Sequence, residues 1–192
     1  MLFRSDILLG KVNPSGKLNV SFPRSTGNTP CFYNHFVTDR EESFDQPGTP
    51  EEPKGHYIFD KPEPLWNFGH GKSYTTFDYV DCALSDTLLV ASDTLKVSVT
   101  IKNTGRRDGK EVVQLYVRDK VSTVATPIQQ LKAFQKVLIK PGESQCVELS
   151  LPIAELALYN AKMEEVVEPG DFEIQIGAAS DDIRFKKTIT IN

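Results

Sequence analysis

Over residues 95–102, Leu95, Val97, Val99 and Ile101 are apolar, while Lys96, Ser98, Thr100 and Lys102 between them are polar. A period of two puts each set on one face of a strand, so this stretch has one dry face and one wet face. The pattern recurs down the chain. Val113, Leu115 and Val117 repeat it; Val147, Leu149 and Leu151 follow the Pro141-Gly142 turn. Phe172, Ile174 and Ile176 follow Pro169-Gly170, and Ile183, Phe185, Ile189 and Ile191 close the sequence. Short half-wet strands separated by turns, with almost no helix, bury their dry faces by stacking two antiparallel sheets. Residues 73–192 are therefore expected to form a mainly β, antiparallel β-sandwich. One helical turn is expected within "PIAELALYN" (152–160), crossing between the sheets.

The first part of the chain is less regular. Asp6-Ile7-Leu8-Leu9-Gly10 has the look of a helix's last turn stopped by glycine, which implies a chain cut from something longer. A turn at Pro14-Ser15-Gly16 precedes Lys17–Phe22, where Leu18, Val20 and Phe22 predict a short strand with one apolar face, closed by Pro23. One such strand needs sheet partners to be stable. Residues 31–72 lack periodicity and carry the acidic, Pro- and Gly-rich run "TDREESFDQPGTPEEPKG", expected to be a long connector.

The connector ends in "WNFGHGKSYTTFDY" (66–79), whose Gly71-Lys72-Ser73 mimics the end of a phosphate-binding loop. That motif needs a glycine five positions earlier and a helix after it. Trp66 occupies the first position, and an aromatic, β-branched run follows instead of a helix. Nucleotide binding is excluded. The two glycines are expected to allow a tight path from connector into sandwich, with Tyr74 and Phe77 beginning the first strand.

Other classes are excluded by composition. A net charge of −4 with mixed signs gives no basic footprint for nucleic acid, and no apolar run is long enough for a membrane helix. Cys31, Cys82 and Cys146 lack metal spacing. Cys82 and Cys146 raise the thought of an inter-sheet disulfide, but Trp66 precedes both, and three free or buried thiols are expected. His35, His56 and His70 have no zinc-ligand spacing, and no cofactor or metal is expected. The acid pairs Glu41-Glu42, Glu51-Glu52, Glu164-Glu165 and Asp181-Asp182 sit in hydrophilic or turn sequence, where carboxylates stay solvated and ionised.

Three ordered segments carry a resemblance. They are "NPSGKLNVSFPRSTGNTPCFYNH" (13–35), "PLWNFGHGKSYTTFDY" (64–79) and "NTGRRDGKEVVQLYVRD" (103–119), the last followed by "LKAFQKVLIKPGES" and "VVEPGDFEIQIGAASDDI". Together they resemble the C-terminal part of family 3 glycoside hydrolases of the β-glucosidase and β-xylosidase type. Lys72 departs from the family's usual apolar residue, "FVTDREESFD" replaces its usual continuation after Tyr-Asn-His, and Glu165 replaces a common aromatic.

The resemblance implies a fibronectin type III-like (immunoglobulin-like) sandwich at 73–192, a connector at 31–72, and at 1–30 the C-terminal edge of an incomplete α/β sandwich domain. Family enzymes take their nucleophile Asp from an N-terminal barrel and their acid/base Glu from the following domain, neither of which is in this sequence. No catalytic residue is therefore assigned. A supporting role beside upstream catalytic domains is expected, and a carbohydrate- or protein-binding module is the alternative. Tyr33, His35 and Trp66 are the candidates for touching an oligosaccharide; Trp66 with Tyr57, Phe59 and Phe68 suggests either a stacking platform or a packed domain joint. Sugar specificity stays open, as does the compartment, although a secreted or periplasmic one suits the family.

Overall fold

The structure is a computed structural model that describes residues 3–36, 50–51 and 63–192. Most of the connector, including Glu41, Glu42, Glu52, His56, Tyr57 and Phe59, lies outside the described residues. The chain opens with α1 (Phe3–Leu8) and continues through β1 (Phe77–Leu84), β2 (Leu88–Leu89), β3 (Thr94–Asn103), β4 (Gly109–Asp119) and β5 (Gln130–Ile139). Then come β6 (Ser144–Pro152), β7 (Leu158–Tyr159), β8 (Glu165–Val166), β9 (Gly170–Ala179) and β10 (Asp182–Ile191).

Two sheets stack face to face. One has the order β1-β3-β6 and the other β2-β10-β9-β4-β5; β7 and β8 pair separately. Short β2 runs parallel to β10, and the other pairs are antiparallel. The alternation explains the core. Leu95, Val97, Val99 and Ile101 are fully buried against Val113, Leu115, Ile174 and Ile189 of the facing sheet, while the intervening β3 positions turn outward. Chain crossings between the sheets occur at β1–β2, β2–β3, β3–β4 and β5–β6. After β6, the single turn Ile153–Leu156 forms in the segment expected to cross, with Ile153 and Leu156 buried.

The Asn103-Thr104-Gly105 turn is held by a fully paired side chain. Asn103 donates to the carbonyls of Arg107 and Ile139 (both 2.8 Å) and accepts from Thr75 Oγ1 (2.6 Å) and the Gly105 amide (3.0 Å). All four amide hydrogen-bonding directions are used, which is what an Asn with no exposed surface needs. Cys82 and Cys146 both belong to the three-stranded sheet, flanking β3 opposite Val99 and Thr100. They do not face each other across the core, and all three cysteines are free.

At the N-terminus, Gly10 adopts φ +70°. Lys11 N–H donates to Asp6 (2.8 Å) and Gly10 N–H to Ile7 (2.9 Å), the pair of bonds that closes a helix through a left-handed glycine. Two expectations need correction. The predicted strand Lys17–Phe22 is not a regular strand. It runs beside residues 65–70 through separate rungs, Leu18 with Gly69 and His70, and Phe22 with Leu65 and Trp66. Val20 and Phe22 stay exposed, because residues 65–70 supply one edge of pairing and no sheet to lie on. Tyr74 does not start the first strand, which begins at Phe77; its hydroxyl instead donates to Ile7 at the end of α1 (2.8 Å).

Candidate functional site

Outward side chains of β4 should meet solvent in a half-wet sheet, yet Gln114 and Tyr116 are buried. Segments 13–36 and 63–74 cover them. The Tyr116 hydroxyl donates to Gln114 Oε1 (2.6 Å), and Gln114 Nε2 donates to Ala178 (2.6 Å) and Gly69 (3.4 Å) carbonyls. Tyr33 stacks on Phe68 with centroids 4.1 Å apart and meets Tyr116 edge-on at 5.9 Å. Its hydroxyl accepts from the Leu131 amide (3.2 Å), and Ser180 N–H donates to Phe68 (3.0 Å). Gly69, at φ +81°, allows this contact: a Cβ there would lie 2.3 Å from Gln114 Oε1. Gly71 lets its backbone pass Gly16, whose carbonyl would be 2.6 Å from an added Cβ.

A second tie lies at the end of the sandwich. Lys17 reaches the five-stranded sheet, donating to the Ala178 carbonyl (2.9 Å) and pairing with Glu111 Oε1 (3.1 Å). The Tyr79 hydroxyl donates weakly to the same carboxylate (3.4 Å) and to Gly177 (3.3 Å). Burial pushes the Tyr79 phenol far up, and the neighbouring Glu111 charge adds to it; burial likewise raises Tyr116. A raised phenol favours the folded state fully below the ordinary value of 10.0, and the stabilisation fades as pH rises above it. In an alkaline spectrophotometric titration, two of the six tyrosines should ionise only together with unfolding. Six phenols titrating freely in the ordinary range would contradict this.

The three candidate residues are not brought together as one constellation. Tyr33 is part of the joint. His35 is exposed, its ring Nδ1 3.0 Å from the Phe36 carbonyl, and its own carbonyl accepts from Ile128 (2.9 Å). Trp66 is 46% exposed and meets Phe22 edge-on at 5.8 Å, so it does not cluster with Phe68, which faces Tyr33. An apolar groove of about 320 Å³ lies beside them, lined by residues including Val20, Pro23, Pro30, Phe32, Tyr33 and Phe68. Sequence reading missed the Lys17–Glu111 pair and Gln114; their only signal is a polar residue inside an otherwise apolar β4 run.

Three carboxylates of the acid pairs have structural partners. Asp181 accepts from Asn67 (2.7 Å), Asp182 pairs with Arg184 (2.5 Å), and Glu164 accepts from Asn160 (3.0 Å). Among the described residues, no group of His, Cys, Asp or Glu gathers as a metal site would, and no helix is long and apolar enough to cross a membrane.

A sandwich of three and five strands with a preceding segment sealed to its outer face defines a fibronectin type III-like domain joined to part of another fold. Residues 111–180 match the fibronectin type III-like domain, and residues 4–74 match the glycosyl hydrolase family 3 C-terminal domain. The chain belongs to the C-terminal part of glycoside hydrolase family 3. It is 40% identical over 179 residues to a periplasmic beta-glucosidase of Salmonella typhimurium, covering 92% of this chain and 23% of that protein. To a beta-xylosidase of Formosa agariphila it is 41% identical over 182 residues, 94% of this chain and 24% of that one. The crystal structure of a Listeria innocua beta-glucosidase in complex with glucose superposes with a TM-score of 0.86 at 36% identity, covering 98% of this chain and 26% of that chain. The chain thus spans about a quarter of the length of these relatives.

Proposed function

We propose that this chain is the supporting C-terminal part of a glycosidase for β-glucosides or β-xylosides, with no catalytic dyad of its own. On this reading residues 1–30 belong to an α/β sandwich domain, 31–72 to a connector and 73–192 to the fibronectin type III-like domain. The observation that carries it is the uncovered apolar surface ahead of the sandwich. Val20, Phe22, Phe32, Phe36, Leu65 and Trp66 are each 41–64% exposed. Concentrated exposure of this kind marks a surface made for a partner. The partner is the upstream catalytic portion that the relatives' length implies. Ser21 Oγ, in a residue lining the groove, is buried with no hydrogen-bond partner among the described residues, as suits a surface that is completed elsewhere.

Retaining glycosidases need two carboxylates about 5–5.5 Å apart, one of them held protonated by its surroundings. Of the acid pairs, Asp181, Asp182 and Glu164 are tied to Asn67, Arg184 and Asn160, which supports a non-catalytic role. The chain alone should turn over neither an aryl β-glucoside nor an aryl β-xyloside. A chimera in which it replaces the C-terminal quarter of the Salmonella relative should hydrolyse the glucoside, while the same protein truncated at the junction should not. An inactive chimera, or an active isolated chain, overturns the reading.

The exposure of Trp66 and its edge-on contact with Phe22 favour a second reading, an oligosaccharide-binding module. It requires saturable affinity for soluble glucan or xylan that is lost in Trp66→Ala. A flat titration removes it.

A further inference from the structure

We infer that the outer face of β4 and β5 is a second docking surface, and that its occupant is an acidic-rimmed apolar surface on the upstream catalytic portion. The inference rests on the proposed function. Register places Gln114 opposite Phe134, Val112 opposite Lys136, and Lys110 opposite Leu138, so these six side chains share the outward face. Gln114, at one end of the grid, is already covered by Gly69 and the Tyr33–Phe68 stack. The rest is open: Phe134 is 66% exposed and Leu138 is 51% exposed. The open patch is therefore continuous with the surface that the N-terminal segment already seals.

Charge decides between occupants. Lys110 and Lys136 are exposed and intersperse the apolar side chains, and Lys140 follows the end of the strand. Lysines on an edge strand oppose pairing with a second identical edge, because copies would bring like charges together. They favour an acidic partner instead. Three-quarters of the length of the relatives lies outside this chain, which leaves room for such a partner in the same polypeptide.

The test uses the Salmonella chimera and the isolated chain side by side. Phe134→Glu with Leu138→Glu should shorten the half-life of chimera activity on heating by about tenfold, the scale of a lost interface anchor. The same pair should leave the melting temperature of the isolated chain unchanged. Lys136→Glu, an exposed change with no core to disturb, should act in the same direction and more weakly. An active chimera indifferent to all three substitutions overturns this inference and leaves the proposed function standing. An inactive chimera overturns both. A concentration-dependent dimer of the isolated chain that Phe134→Glu dissolves also overturns it, by showing a second copy on the face.

Discussion

Replacing Glu111 with Ala should lower the unfolding free energy by about 3–5 kcal/mol, the usual cost of removing one member of a buried ion pair. The Glu111 side chain is 8% exposed and that of Lys17 18%, so neither regains full hydration when the other is lost. Lys17 would keep only the Ala178 carbonyl as a partner, and Tyr79 would lose its carboxylate acceptor. The loss falls on the joint, because Lys17 belongs to the N-terminal segment and Glu111 to β4. Urea unfolding of the isolated chain measures the change. A double cycle with Lys17→Met should show that most of the loss is shared between the two residues. A change below about 1 kcal/mol would place the pair among exposed salt bridges and refute its structural role.

Gly69→Val should be the other large effect, about 2–5 kcal/mol. A β-branched residue at φ +81° costs on the order of 1–2 kcal/mol in backbone strain, and forcing atoms into a filled space adds about 1–3 kcal/mol. The space is filled by Gln114 Oε1 at 2.3 Å and the Ala179 Cα at 3.0 Å, and the latter is backbone that cannot swing aside. The substitution should also free Tyr33 and Phe68 from β4, seen as new proteolytic cleavage between residues 13 and 36. Gly142→Ala is the control. Its φ of +77° carries the same strain, but nothing lies within 4 Å of an added Cβ. It should cost only the strain and leave the cleavage pattern unchanged.

The sandwich was legible because its residues obey a period of two, and burial follows that period residue by residue in β3. β5 was harder to read: a bulge between Leu115 and Tyr116 shifts its register, and Phe134 and Leu138 face outward where a solvated strand would show polar groups. Leu18, Val20 and Phe22 misled for a related reason. Their alternation is that of a strand made to be covered, but within this chain they meet only residues 65–70. The glycines of "WNFGHGKSY" signal a tight path in the sequence itself, while the contact of Tyr74 with the end of the helix leaves no periodic signal. The Lys17–Glu111 and Tyr33–Phe68–Tyr116 contacts join residues far apart in sequence, and no local pattern encodes such pairs.

The central claim is that the segment ahead of the sandwich is held to it as one preformed docking platform. Native-state amide hydrogen exchange on the isolated chain tests this most directly. The amides of Leu18, Phe22, Gly69 and Ser180 each donate to a carbonyl of the joint at 2.8–3.0 Å. They should be protected and exchange in step with one another, and Glu111→Ala should release them together while β3 amides stay slow. Exchange of these four at the rate of an open peptide, with the sandwich still protected, would contradict the claim.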